Sequence, residues 1–311
     1  MYPYNHKRGQ TIQTDAAGVS VDRAFVAHYN VSAASAVAES DTGTLAATDL
    51  DATAKSITTG LTNPAVPRNV KVKGNASGIN NVVKVYGTNF AGDAISEEIT
   101  PNGTTAVAGA LAFATVTKVD LPVADHPEAK QKTTSAVSAA TGAGTATLTV
   151  DAALFGEDGI DVDVVFAAGD VASTTTAATA IKNALNANAA FAEHFVATSS
   201  TSNVIMEAKV AAPQDATVDL TVTAAGETGL VIGAITVNTT AGVRDRISVG
   251  WGKKFGIPYK LSADELVIVK LFNNTADTGT VTVDDDELEK NVIELNGTAD
   301  GLKPIDLYII V

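Results

Sequence analysis

The sequence predicts a mainly β protein, an antiparallel β-sandwich host domain carrying an inserted small α+β domain. Three observations carry that expectation. Thr, Val, Gly and Asn are abundant, which favours strands and turns over long helices. Short apolar–polar alternations closed by glycines fill the first 130 and the last 70 residues or so. A single segment with helical period stands between them. Of the 311 residues 45% are hydrophobic, mostly Ala and Val, and only 5% are aromatic. Small side chains of that kind pack thin layers more readily than one large core.

Residues 1–21 show neither period and read as an extended arm, with Tyr2 and Tyr4 ahead of Lys7 and Arg8. Residues 25–37 suit a first strand, and 39–51 read as a polar connection. Val70-Lys71-Val72-Lys73 and Val83-Lys84-Val85-Tyr86 alternate with a period of two, which predicts valines on one face and a wet face of lysines. With Gly74, Gly78, Gly87 and Gly92 as punctuation, and further strands at 95–99 and 115–121, this region reads as an antiparallel meander. From 132 the chain is poor in charge and rich in small residues, a linker into a strand at 145–150. A strand at 161–166 follows. Residues 173–187 then place Ala177, Ile181, Ala184 and Leu185 on one helical face, with Ser173 or a following Thr as cap. Strands return at 195–198, 204–210 and 218–223.

After Gly242 the first texture resumes. Leu-Val-Ile-Val-Lys-Leu-Phe at 266–272 predicts a strand covered on both faces. Strands at 280–283, 292–295 and 305–311 complete the chain, and the apolar Tyr-Ile-Ile-Val end calls for pairing inside a sheet. The boundaries are therefore 1–21 for the arm, 22–132 plus 242–311 for the sandwich, and 133–241 for the insert. A linear row of three domains is the alternative.

The chemistry-bearing residues are sparse. His6, His28, His126 and His194 are scattered without metal-ligand spacing and read as surface or satisfied histidines. No Gly-x-Ser-x-Gly elbow occurs. Asp161 and Asp163 share a strand face, but Val162 and Val164 explain them as the wet side of an alternation. Asp284-Asp285-Asp286-Glu287 lacks the calcium-loop spacing and reads as a solvated turn more readily than as a cation site. Gly250-Trp-Gly-Lys-Lys-Phe-Gly256 fails the phosphate-loop pattern. With Arg244, Arg246, Lys253 and Lys254 around Trp251 it makes a basic island in an acidic chain, suited either to a subunit contact or to internal packing of the Trp. The net charge of −14 argues against nucleic acid as a partner. There are no cysteines, and no apolar stretch is long enough to span a bilayer. The sequence thus predicts no enzyme, no cofactor and no metal.

Residues 63–122 resemble a pattern of virion structural proteins of tailed bacteriophages. The elements are Val66-Pro67-Arg68-Asn69, Tyr86-Gly87-Thr88-Asn89-Phe90-Ala91-Gly92-Asp93-Ala94, Ser96-Glu97-Glu98-Ile99 and Phe113-Ala114-Thr115-Val116. Phe255-Gly256-Ile257-Pro258-Tyr259-Lys260-Leu261, with Glu289-Lys290-Asn291, resembles the end of head-decoration and head-fibre proteins. The middle block, through Ala180-Ile181-Lys182-Asn183-Ala184-Leu185-Asn186 and Gly226-Glu227-Thr228-Gly229, resembles a small domain inserted in contractile-tail sheath and other phage surface proteins. The resemblance implies a protein of the virion's capsid surface, made in the bacterial cytoplasm. Its partners would be the major capsid protein and copies of itself, a trimer first among the oligomers. It supplies no catalytic residues. Tyr2, Tyr4, Lys7, Arg8, Arg244, Arg246, Trp251, Lys253 and Lys254 are the expected subunit or capsid contacts. A tail component, or a glycan-binding adhesin module, is the alternative; dispersed aromatics count against the adhesin.

Overall fold

Eleven residues of unbroken strand, Arg246–Gly256, organise the larger part of the molecule. The computed structural model describes residues 12–13, 20–21, 26–233, 235 and 238–311. Arg68–Gly74 pairs along one edge of the long strand, with Val107–Phe113 beyond it. Ser40–Asp49 and then Val292–Glu294 pair with the long strand too, and Thr280–Thr282 joins outside the latter. All these pairings are antiparallel. Residues 39–51 are therefore mostly strand rather than a polar connection. Their Thr, Ser and Asp side chains give no apolar alternation, because partner strands rather than local pattern hold them.

Val83–Thr88 belongs to a different sheet, of order Lys55–Ile57, Thr115–Leu121, Val83–Thr88, Ala94–Ile99. The expected meander is thus split: Arg68–Gly74 and Val83–Thr88 lie in facing layers. Val70, Val72, Ile247 and Val249 from one sheet meet Val83, Val85, Val119 and Leu121 from the other in one buried cluster. Removing such side chains from water contributes roughly 1.5–3 kcal/mol each. These two facing layers form a β-sandwich, the architecture expected of the host domain. The predicted wet lysine face fails at Lys71, which is 8% exposed. Its ammonium reaches Asp41 at 2.6 Å and Glu39 at 2.9 Å, the first in the Ser40–Asp49 strand and the second just ahead of it, both in the segment expected to be a polar connection.

A second four-stranded sheet, Thr275–Ala276, Val267–Phe272, Ile305–Ile310, Val26–Val31, closes over the other end of the long strand. Val31, Ile305, Leu307 and Ile309 bury against Phe255, Ile257 and Ile293. The apolar C-terminal strand is paired on both sides, as its sequence requires. Val267–Phe272 is not covered on both faces, however: Ile268 is 48% and Val269 38% exposed. A register shift between Val267 and Val269 turns this run partly outward.

Residues 132–240 build a third core. Lys132–Ala139, read as linker, is a strand between Asn203–Ala208 on one side and Val231–Ile232 and Asn238–Thr240 on the other. Gly144–Asp151 pairs with Ile160–Phe166 and Asp219–Ala224. Thr174–Ala187 forms the expected helix, with the Ser173 hydroxyl accepting the Thr176 amide in a capping box. A second short helix, Ala189–His194, was not foreseen. Ala177, Ile181, Leu185 and Phe191 pack on Leu148, Val164, Met206 and Leu220. The chain enters and leaves this block through adjacent backbone, where the Val243 amide donates to the Ala129 carbonyl at 2.9 Å. No described helix is long and apolar enough to cross a membrane.

Candidate functional site

Tyr2, Tyr4, Lys7 and Arg8 lie outside the described residues. The remaining basic residues do not form one patch. Arg244 and Arg246 both grip Asp49, at 3.0 and 2.6 Å, across the pairing of the Ser40–Asp49 strand. The Arg246 bond, helped by Arg244, holds the Asp49 carboxyl below its ordinary range. Trp251 is half-buried, and its indole N–H donates to the Ala38 carbonyl at 3.0 Å. Its ring covers Gly43 so closely that a Cβ there would lie 2.6 Å from ring carbons. Lys253 is exposed and lines a small hollow with Glu39 and Arg68, whereas Lys254 is half-buried. Asp161 and Asp163 are exposed and accept the Thr149 and Thr147 hydroxyls, the wet side of an alternation.

The acidic run at 284–287 is a structured turn. The Asp284 carboxylate accepts the Glu287 and Asp286 amides at 2.7 and 2.9 Å, and these bonds lower its pKa. Lys290 closes on Glu287 and Asp284. Among the described residues no three His, Asp or Glu side chains come together as a metal-ligand set.

Two surfaces remain. The first is the outer face of the terminal sheet. Tyr308 pairs with His28 and with Val269, and Ile310 pairs with Val26, so these side chains share one face. The His28 and Tyr308 rings stack at 4.6 Å, and the His28 Nε2 meets the Asp306 carboxylate at 2.7 Å. Val26 is 58% exposed beside them. Val26–Val31 has one strand neighbour among the described residues and ends the sheet.

The second is a cleft of about 460 Å³ at the root of the 132–240 block. His126 and Asp245 form its wall, Asp125 and Glu128 stand beside them, and Asn80 and Asn81 face them. Asp245 is 1% and His126 5% exposed. The His126 Nδ1 stands 3.5 Å from the Asp245 Oδ1, and its Nε2 3.5 Å from the Glu128 Oε2, too far for hydrogen bonds of ordinary strength. The two side chains are each other's neighbours at this long distance, and neither makes a hydrogen bond of ordinary length. Burial pushes the Asp245 carboxyl up, against the opposing pull of His126. Gly78, at φ +84°, lets the imidazole in: a Cβ there would lie 2.2 Å from the His126 Nε2. His126 is thus a buried histidine rather than a surface one, held between Asp245 and Glu128. No local motif marks it, because Asp245 arrives from the far side of the 132–240 block.

Comparison with known proteins gives no further handle on either surface: no protein-family model, no curated protein and no solved structure matches the chain.

Proposed function

We propose that this protein is a non-enzymatic structural component of a bacteriophage virion, a capsid-decoration or head-fibre protein that sits on the outer shell as a homo-oligomer. The observation that supports this most is the outer face of the terminal sheet, where Val26, Ile268 and Val269 are exposed next to a sheet edge. An apolar sheet face beside an open edge is a template for association. A net charge of −14 over the chain opposes indiscriminate clumping, so contact is directed to such local patches. In this reading the occupant of the face is a second copy of the chain. The arm of residues 1–21 or the base of the sandwich grips the shell, and the 132–240 block projects outward.

Sedimentation equilibrium of the purified chain tests the oligomer, and co-sedimentation with purified heads and purified tails tests the location. The expected result is a closed homo-oligomer that binds heads, with Ile268→Glu/Val269→Lys dissociating it. A chain that is monomeric at high concentration, or that binds tails and ignores heads, overturns the reading.

A further inference from the structure

We propose that the cleft walled by His126 and Asp245 is a binding site for an organic cation bearing N–H donors, an alkylammonium or guanidinium group. The inference does not depend on the virion reading.

Three features of the cleft point to that chemistry. The first is unmet acceptor capacity at depth. Asp245 and His126 are almost wholly buried, and the Asp245 carboxylate has the His126 ring beside it only at the long distance of 3.5 Å, which leaves acceptor lone pairs unfilled. A buried acceptor left short of donors is costly, so a ligand that supplies N–H groups is favoured there. The second is charge. Asp125, Glu128 and Asp245 line the cleft, and no lysine or arginine does. The two outer carboxylates are held by neutral donors, Asp125 by the Asn81 amide and Glu128 by the Ser77 hydroxyl at 2.9 Å. Those bonds fix their positions while leaving their charge uncompensated, and lone pairs remain on each. The third is spacing. No three acidic or imidazole groups among the described residues are close enough to share one metal ion. N–H donors reach oxygens at about 2.8 Å instead of coordinating at about 2.2 Å, and a cation carrying several of them spans a wider ring of acceptors.

In the assigned pose the cation donates to the Asp245 carboxylate at depth and to Glu128 nearer the rim, with the Asp125 charge beside it. His126 in its neutral form offers a ring nitrogen as a further acceptor. Asn80 and Asn81 complete the opposite wall. The cation has two available sources, a free small amine or a lysine or arginine side chain. Lys7 and Arg8 of the basic N-terminal segment are one pair in this chain that could supply the second.

Isothermal titration calorimetry on the full chain tests this with 1,5-diaminopentane, with guanidinium-bearing agmatine, and with a synthetic peptide of residues 1–12. N-acetylglucosamine and calcium chloride serve as neutral and metal comparisons. Saturable binding of at least one cation is expected, with Kd of about 1 mM or tighter. Asp245→Asn and Glu128→Gln should each weaken it by about tenfold. Binding of the amines alone identifies a small-molecule site, and binding of the peptide alone identifies the N-terminal segment as occupant. Should Asp245→Asn fail to fold, Glu128→Gln decides, because Glu128 is largely exposed. The proposal is overturned by no saturable binding of any of the three cations, by binding that Glu128→Gln leaves unchanged, or by calcium occupying the cleft in their place.

Discussion

Asn291 closes the turn at Asp284 from both sides of that residue: its Oδ1 accepts the Asp284 amide at 3.0 Å and its Nδ2 donates to the Asp284 carbonyl at 2.7 Å. The same side chain accepts the Leu261 amide at 3.1 Å and donates to the Glu287 carbonyl at 3.0 Å, with no exposed surface. One buried amide therefore orders the densest run of negative charge in the chain. Asn291→Ala orphans several buried backbone groups at once. A loss of about 3 kcal/mol or more follows from the penalty per orphaned group, read as a lowered urea midpoint with unchanged slope.

Arg68 is a second buried polar anchor. Its guanidinium donates to the Val37 carbonyl at 2.7 Å and to the Gly252 carbonyl, and lies 4.4 Å over the Phe255 ring. Burial pulls its pKa down to about 10, with Glu39 opposing the shift. Arg68→Ala removes a fork and leaves a void, so a loss of about 3–5 kcal/mol is expected in chemical denaturation. Arg68→Lys should rescue only a small part, since an ammonium cannot span both carbonyls and the ring.

Acid should attack the Lys71 cluster. Hydrogen bonds from Lys71 first, then Lys73, lower the Asp41 pKa below 3.8. A depressed folded-state carboxyl stabilises fully above its unfolded value, about 3.9, and loses that contribution as pH falls through the folded value. For Lys71, burial alone would depress the ammonium, but the bonds from Asp41 and Glu39 outweigh it and raise the pKa. Carboxyl NMR titration should therefore find Asp41 depressed in the wild type. In Lys71→Met it should move back up, and the melting temperature should lose part of its dependence on pH below 4. An Asp41 that titrates the same in both proteins contradicts the cluster.

Close approach of backbones sets a steric test. A Cβ on Gly250 would lie 1.7 Å from the Ser40 carbonyl oxygen, which belongs to a paired strand and has little room to retreat. Gly250→Ala should abolish soluble expression. At Gly43 the obstacle is the Trp251 ring, so Gly43→Ala should fold with a loss of about 1–3 kcal/mol and a changed Trp emission.

The cap of the main helix gives a smaller effect. Ser173→Ala removes the acceptor for the Thr176 amide, at 3.2 Å, and should lower stability by about 1 kcal/mol. Ser173→Asp should restore most of it.

Where each layer shows a plain local period, the sequence discloses it. Val83-Lys84-Val85-Tyr86 alternates along its strand as expected, and the face of Ala177, Ile181 and Leu185 is the buried one. The failures share a physical cause, long-range pairing. Ser40–Asp49 shows no alternation, because its register follows from Arg246–Gly256 and its acidic side chains reach back to Lys71 and Lys73. Val70 and Val83 alternate alike, yet nothing between them announces that they fall in opposite layers. The run at 267–272 looked fully covered because apolar content reports hydrophobicity and not which face a bulge turns outward. Of the residues expected at a contact, Trp251 also bonds the Ala38 carbonyl and the two arginines also pair with Asp49, relationships that no local motif announced. His126 and Asp245 were illegible, since their meeting depends on the chain returning after a whole core has been built between them.

The bond from Val243 to Ala129 gives that return a practical meaning. Departing and arriving backbone pass through one doorway, so whatever hangs beyond it can lengthen, shrink or be exchanged without re-threading the sheets behind. A foreign module whose own termini lie equally close should be graftable at that threshold, which would make the chain a mount for displayed cargo.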